Sequence, residues 1–180
     1  MTNTRYLPGD KTSEEELVSI IRVNHAGEYG ARRIYKGQLA VLKKHKKIQE
    51  MYEQELEHLQ YFETQIAKHR IRPTIMQPLW HVFGWTLGAV TAALGEKAAM
   101  ACTVAVEEVI GEHYTSQLDV IQKYSDQKPL YVKIAKFRDD ELEHRDTGLK
   151  HDAEATFAYG ALTTVIKAFT KSAIWLSKRI

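Results

Sequence analysis

Carboxylates sit on helix faces that should be greasy, and this misplacement constrains the fold more than any other feature of the chain. Apolar residues recur at helical spacing along nearly the whole sequence, alternating strand patterns are absent, and Gly and Pro fall where helices can stop. The fold class that follows is all-α. In the second half, Met100, Val104, Glu107, Ile110, Tyr114, Leu118 and Ile121 form one inward stripe, and Ile134, Phe137, Glu141, His144 and Gly148 form another. The first half repeats the oddity with Ile21, Glu28, Tyr35 and Leu42 on one stripe and Met51, Glu55, His58, Phe62 and Ile66 on the next. A lone buried carboxylate is expensive, so four of them must converge on something that cancels their charge.

Spacing predicts that they can meet. Ser13 and Glu16 read as a capping box for a first helix to about Leu42, followed by a basic turn, Lys43 to Lys47. A second helix is expected from Ile48 to Lys68, and a third, uncharged one from Pro78 with Gly95 as its C-cap. A fourth runs from Glu96 to Tyr124, Ser125 and Asp126 cap a fifth from Pro129 to Lys150, and a sixth occupies the C-terminus. The midpoint of Glu107 and Glu141 is Tyr124, beside the Ser125–Asp126 turn, so an antiparallel hairpin sets both at one height. Glu28 and Glu55 have their midpoint at Val41 and Leu42, which matches their levels to within about a turn. No short repeat is apparent, although the chain divides into two halves around the third element. At 180 residues it reads as a single domain over 1–180, with residues 1–13 a flexible N-terminal segment.

The donor set carries the chemistry. Glu55 with His58, and Glu141 with His144, lie three apart on one helix face, so each pair can bind one ion. With Glu28 and Glu107 they form four carboxylates and two imidazoles without sulfur, which suits iron or manganese better than structural zinc. Four negative charges cancel two divalent cations, so metal should stabilise the fold. Gln54 and Asp140, one residue before each pair, could reach the opposing imidazole and fix its tautomer. His25 and His113 read as ordinary polar packing, and Tyr35 and Tyr114 as core aromatics with bonded hydroxyls rather than proton relays.

Other classes fall away. The lone Cys102 excludes an internal disulfide and cysteine-rich metal sites, and 25 basic against 23 acidic residues leave no electrostatic footprint for nucleic acid. The first thirteen residues lack the apolar run of a secretory signal and the pattern of a transit segment. From Pro73 to Gly95 no charge interrupts the chain, a length near that of a membrane span, but Pro78, Gly84, Gly88 and three Thr favour a buried or interfacial helix.

One Glu from each of two helices and Glu-x-x-His from two others resembles the ferritin-like di-metal bundle, here a four-helix bundle with two additional helices. Longer strings are more specific. Arg22-Val23-Asn24-His25-Ala26-Gly27-Glu28-Tyr29-Gly30-Ala31 and Ala101-Cys102-Thr103-Val104-Ala105-Val106-Glu107-Glu108 resemble the demethoxyubiquinone hydroxylase family. Similarity continues through Arg72-Pro73-Thr74, Pro78-Leu79-Trp80, Phe137-Arg138-Asp139 and His151-Asp152-Ala153-Glu154, from about Ser19 to the C-terminus, and Asn24 stands where the family often has aspartate.

The resemblance implies two Fe ions per chain, held by Glu28, Glu55, His58, Glu107, Glu141 and His144, which are also its catalytic residues. It implies hydroxylation of a demethoxyubiquinol ring with dioxygen, with electrons from NADH or from the quinol itself. A prenylated quinol lives in the bilayer, so the expected partners include the membrane surface, reached through the apolar third helix with Trp80, Phe83 and Trp85 at the interface. A core or dimer contact is the alternative for that helix, and Lys43 to Lys47 could touch anionic lipid. The expected location is the cytoplasmic face of a bacterial inner membrane, or the matrix face of the mitochondrial one. A homo-oligomer or a lipid-presenting accessory protein is a further expectation. Two competing readings are a ferritin-like ferroxidase or iron store and a non-catalytic membrane-surface bundle; the second requires stability unchanged by chelation.

Overall fold

A computed structural model describes residues 11–124 and 127–180. Six α-helices and one 3₁₀ turn account for its regular structure, and the described residues contain no strand. They are α1 (Ser13–Val41), α2 (Lys46–Lys68), α3 (Gln77–Ala93), α4 (Glu96–Ile121), α5 (Lys128–Lys150) and α6 (Tyr159–Ser177). The all-α expectation, a four-helix bundle with two additional helices, is what is found. α1 and α2 form one hairpin and α4 and α5 another; α3 packs along α1, and α6 along α4.

Boundaries differ from expectation in several places; α4, for one, ends at Ile121 and not at about Tyr124, and α3 and α5 each start one residue earlier, at Gln77 and Lys128. The capping box opening α1 is Thr12 with Glu15: the Thr12 hydroxyl accepts the Glu15 N–H at 3.2 Å, and Glu15 accepts the Thr12 N–H at 2.8 Å. Thr12-x-x-Glu15 and Ser13-x-x-Glu16 satisfy the same spacing, and the earlier pair starts the helix one residue sooner. α2 starts at Lys46 with His45 as its N-cap, so part of the basic turn is helical. Gly95 is the N-cap of α4, with φ 112°, and not the C-cap of α3, where Leu94 stands. That single glycine absorbs the tight junction between two helices at a φ that residues with a Cβ rarely adopt. The expected cap at Ser125 and Asp126 lies outside the described residues, as do residues 1–10 of the expected N-terminal segment.

Glycine also sets the spacing of α3. A Cβ on Gly88 would overlap the Ile34 carbonyl oxygen, and one on Gly37 the carbonyl of Trp85, so α1 and α3 touch backbone to backbone. This close face of α3 includes Trp80, only 6% exposed, whose indole N–H donates to Ser177 Oγ at 2.9 Å. Trp80 is therefore a core residue between α3 and α6, contrary to its expected interfacial place; packing of its ring against Phe169 on α6 holds it there. The opposite face leaves Val82, Phe83, Trp85 and Val90 exposed, and α6 adds Val165 and Trp175. No helix among the described residues is long and apolar enough to cross a membrane.

Candidate metal centre

Between the two hairpins, Glu28, Glu55, His58, Glu107, Glu141 and His144 are all at most 2% exposed. Their donor atoms form two overlapping groups: Glu28, Glu55, His58 and Glu141 in one, and Glu55, Glu107, Glu141 and His144 in the other, each within 4.8 Å. Glu55 and Glu141 belong to both. Such an arrangement offers two adjacent cations three private or shared carboxylates and one imidazole apiece, with two carboxylates in common. All six residues named from the sequence are brought together; His25 and His113 belong to neither group.

Several of these atoms have no hydrogen-bond partner. Glu28 Oε2, both Glu55 oxygens, His58 Nδ1, Glu107 Oε2 and Glu141 Oε1 are buried without a hydrogen-bond partner. His58 Nδ1 does approach Glu141 Oε1 at 3.2 Å and Glu28 Oε2 at 3.4 Å, yet without hydrogen-bond geometry. Close approach without bonding is what lone pairs aimed at a common point produce, and a divalent cation there would satisfy all of them. The residues thus fit a metal pair.

The outward faces of the ligands are fixed. His58 Nε2 lies 3.0 Å from Asp140 Oδ2 and His144 Nε2 lies 2.8 Å from Gln54 Oε1. Both partners are acceptors, so each imidazole keeps a proton on Nε2, and a bound cation would take the inward Nδ1 lone pair; without one, His144 Nδ1 lies 3.2 Å from Glu141 Oε2 in a hydrogen bond. The cross-hairpin reach expected of Gln54 and Asp140 is present on both sides. Tyr35 donates to Glu107 Oε1 at 2.7 Å, and Tyr114 donates to Glu28 Oε1. These are buried aromatics with bonded hydroxyls, as expected, and each bond orients a carboxylate of the cluster.

A pseudo-two-fold relation emerges that the reading for repeats missed. Tyr35 follows Glu28 by seven residues and Gln38 by ten, and Tyr114 and Gln117 follow Glu107 at the same steps. Each tyrosine crosses to the other helix's glutamate. Each glutamine likewise crosses: Gln117 pairs reciprocally with Asn24 at 2.8 Å, and Gln38 reaches Thr103 at 3.4 Å and the Ala99 carbonyl at 3.0 Å. The pattern Glu-x₆-Tyr-x₂-Gln-Leu at 28–39 and 107–118 was the available signal. It escapes a search for contiguous repeats because only inward positions are shared.

Left to protons alone, the cluster is electrostatically crowded. Burial, reinforced by repulsion from Glu141, Glu28 and Glu107, pushes Glu55 well above the usual carboxylate range. Burial and Glu141 do the same to Glu107. Burial works against charge on His58, but the nearby Glu141 and Glu28 carboxylates outweigh it and push its pKa up to about 12. Burial would raise Glu141 too, yet His144 and His58 hold it down to about 2. Protons are distributed over the same donors that two cations would occupy.

On the far side of α1 and α4, a narrow apolar cleft of about 70 Å³, below the usual range of small-molecule sites, opens between α1, α3, α4 and α6. Its walls include Gly27, Gly30, Val106 and Ile110, from the same helical turns as Glu28 and Glu107. A Cβ on Gly27 or Gly30 would meet no atom within 4 Å.

The family model for ubiquinone biosynthesis protein COQ7 matches residues 15–177. The chain is 50% identical over 176 residues to the bovine (Bos taurus) NADPH-dependent 3-demethoxyubiquinone 3-hydroxylase, mitochondrial, covering 95% of the chain and 81% of that relative. Against the Rhodospirillum rubrum 3-demethoxyubiquinol 3-hydroxylase it is 48% identical over 178 residues, covering 97% and 83%. Against the Saccharomyces cerevisiae 5-demethoxyubiquinone hydroxylase, mitochondrial, it is 41% identical over 182 residues, covering 91% and 78%.

Proposed function

Because the chain belongs to the ubiquinone biosynthesis protein COQ7 family, we propose that it is a di-iron monooxygenase that hydroxylates the ring of a demethoxyubiquinol with dioxygen. The observation that carries the reading is the convergence of orphaned Glu and His donor atoms into two overlapping groups. Glu28 and His58 would serve one iron, Glu107 and His144 the other, and Glu55 and Glu141 both. When bound, the iron pair supplies electrons to dioxygen, so that one oxygen atom enters the ring and the other leaves as water.

The chain's own residues prepare that chemistry. Asp140 and Gln54 keep the imidazole lone pairs inward, and Tyr35 and Tyr114 hold Glu107 and Glu28 in one orientation. Apolar residues of α4 and α5 surround the ligands and exclude bulk water. The narrow apolar cleft behind α1 and α4, widened by a shift of α3 or α6, would admit a prenylated ring beside the ligand-bearing turns, and the exposed apolar faces of α3 and α6 give the protein a means of lying on lipid. We place it on the cytoplasmic face of a bacterial inner membrane, or on the matrix face of the mitochondrial one. The whole of 1–180 acts as one domain.

Iron-loaded protein incubated with a demethoxyquinol, reductant and oxygen should yield a product heavier by one oxygen atom, read by mass spectrometry with ¹⁸O₂ label retained. Iron oxidised without any hydroxylated product would favour a ferroxidase or storage role instead.

A further inference from the structure

Where α2 and α4 begin and α5 ends, three side chains outside the buried cluster meet. His45 caps α2, Glu96 is the first residue of α4, and His151 caps the end of α5. Glu96 Oε1 lies 3.1 Å from His45 Nε2 and 3.3 Å from His151 Nδ1, and the two rings are 5.8 Å apart at their centroids. All three donor atoms lie within 4.8 Å of one another. An ion with tetrahedral bonds of about 2.0–2.1 Å to nitrogen and oxygen sets its ligand atoms about 3.3 Å apart. The Glu96 carboxylate already keeps that spacing from both imidazoles.

We propose that His45, Glu96 and His151 form a surface site for a zinc-class transition-metal ion, distinct from the buried pair, that ties α2, α4 and α5 together at one end of the bundle. Two imidazoles and one carboxylate favour zinc over the hard cations that carboxylate-rich sites take. Glu96 is 49% and His151 32% exposed at the side chain, which leaves a fourth position for water. Contact with His45, and then with His151, holds the Glu96 carboxyl below its ordinary range despite partial burial, so it is anionic. Of the neighbouring cations, Lys97 pairs with Asp152 at 3.2 Å and Lys46 and Lys47 pair with Glu50, while Lys150 lines the same surface cleft as Glu96 and His151.

Ligation asks one exchange of His45. Its Nδ1 accepts the Ile48 N–H at 3.3 Å, a long bond. Binding an ion through Nε2 puts the ring proton on Nδ1 and replaces that cap with a metal bond. His151 would bind through Nδ1 and keep its Nε2 proton toward solvent. The site is ten residues from Glu55, eleven from Glu107 and seven from His144, about 10–16 Å along the helices, so an ion there touches none of the buried ligands.

The test uses iron-loaded protein titrated with zinc, reading bound zinc and retained iron by elemental analysis after desalting, together with the melting temperature. One zinc per chain should bind at micromolar free zinc, with iron unchanged and the melting point raised. His151→Gln, and His45→Asn, which preserves a capping acceptor, should each weaken zinc binding by about tenfold or more while retaining iron. Wild-type protein that takes up no zinc at about 100 µM, or variants that bind it as wild type does, would overturn the proposal. Should iron loading fail, the zinc difference between wild type and His151→Gln still reads one ion per chain, so this site and the buried pair stand or fall separately.

Discussion

Glu55→Gln should change the stability of this protein in opposite directions with and without metal. The side chain is fully buried, both oxygens lack hydrogen-bond partners, and Glu141, Glu28 and Glu107 crowd it with like charge. Glutamine keeps the shape, removes the charge and can donate to those neighbours. Relief of a buried, unsatisfied acceptor amounts to about 1–3 kcal/mol. At about 2–4 °C per kcal/mol for a chain of this length, metal-free Glu55→Gln should melt roughly 2–12 °C above metal-free wild type. Ion binding inverts the order. Iron at about 100 times its dissociation constant stabilises the wild type by about 2.7 kcal/mol, or roughly 5–11 °C. The variant lacks a ligand common to both donor groups, and its charge no longer cancels two divalent ions, so most of that increment should vanish. Circular-dichroism melts under anaerobic conditions, with iron(II) and with chelator, read both numbers. A variant that melts below wild type without metal, yet keeps the full iron-dependent increment, would refute the reasoning.

Further outcomes follow from the same structure. Gly88→Ala should destabilise by about 1–3 kcal/mol because its Cβ would strike the Ile34 carbonyl, whereas Gly30→Ala, which meets no atom, should fold at least as well but narrow the cleft and lower turnover; thermal melts and product assays separate them. Metal-free protein should lose stability as pH rises. Glu55 and Glu107 have raised folded pKa values and lose their contribution above the unfolded 4.5; His58 loses its contribution from 6.5 toward 12. In all three cases the folded state binds more protons than the unfolded one in those intervals, so urea midpoints should fall from pH 5 to 8 in chelator. Glu141, held down to about 2, acts oppositely only in acid, and His113, which burial pushes down to about 4, opposes the fall up to about pH 6.5, so the steepest loss should lie above that pH. Replacing exposed Phe83 and Trp175 by serine should weaken co-sedimentation with phosphatidylcholine vesicles by about tenfold or more, since each aromatic contributes about 1.5–3 kcal/mol on leaving water; unchanged binding would remove α3 and α6 from the lipid contact.

Much of the site was legible because burying a carboxylate breaks a strong pattern. Glu107 and Glu141 interrupt apolar stripes, and their midpoint at Tyr124 falls between the end of α4 at Ile121 and the start of α5 at Lys128, so their levels follow from chain geometry. Glu28 and Glu55 were legible only to a turn, because the α1–α2 connection is centred past their midpoint; both nonetheless reach the same donor group. What sequence patterns could not resolve were choices between equivalent local solutions. Thr12 and Ser13 can each cap α1, and Gly95 can end one helix or begin the next. Trp80 is amphipathic and suits either lipid or core; its indole bond to Ser177, a partner 97 residues away, and its packing against Phe169 assign it inward. The same remoteness hid His45, Glu96 and His151, three separate helix ends with no common motif.

The most direct test of the buried centre is the iron content of protein loaded anaerobically, desalted and measured beside its Glu107→Gln variant. About two iron ions per chain in the wild type, with a clear loss in the variant, is the outcome the six converging ligands require. Wild-type protein that retains almost no iron, or a variant that holds as much as the parent, would contradict it.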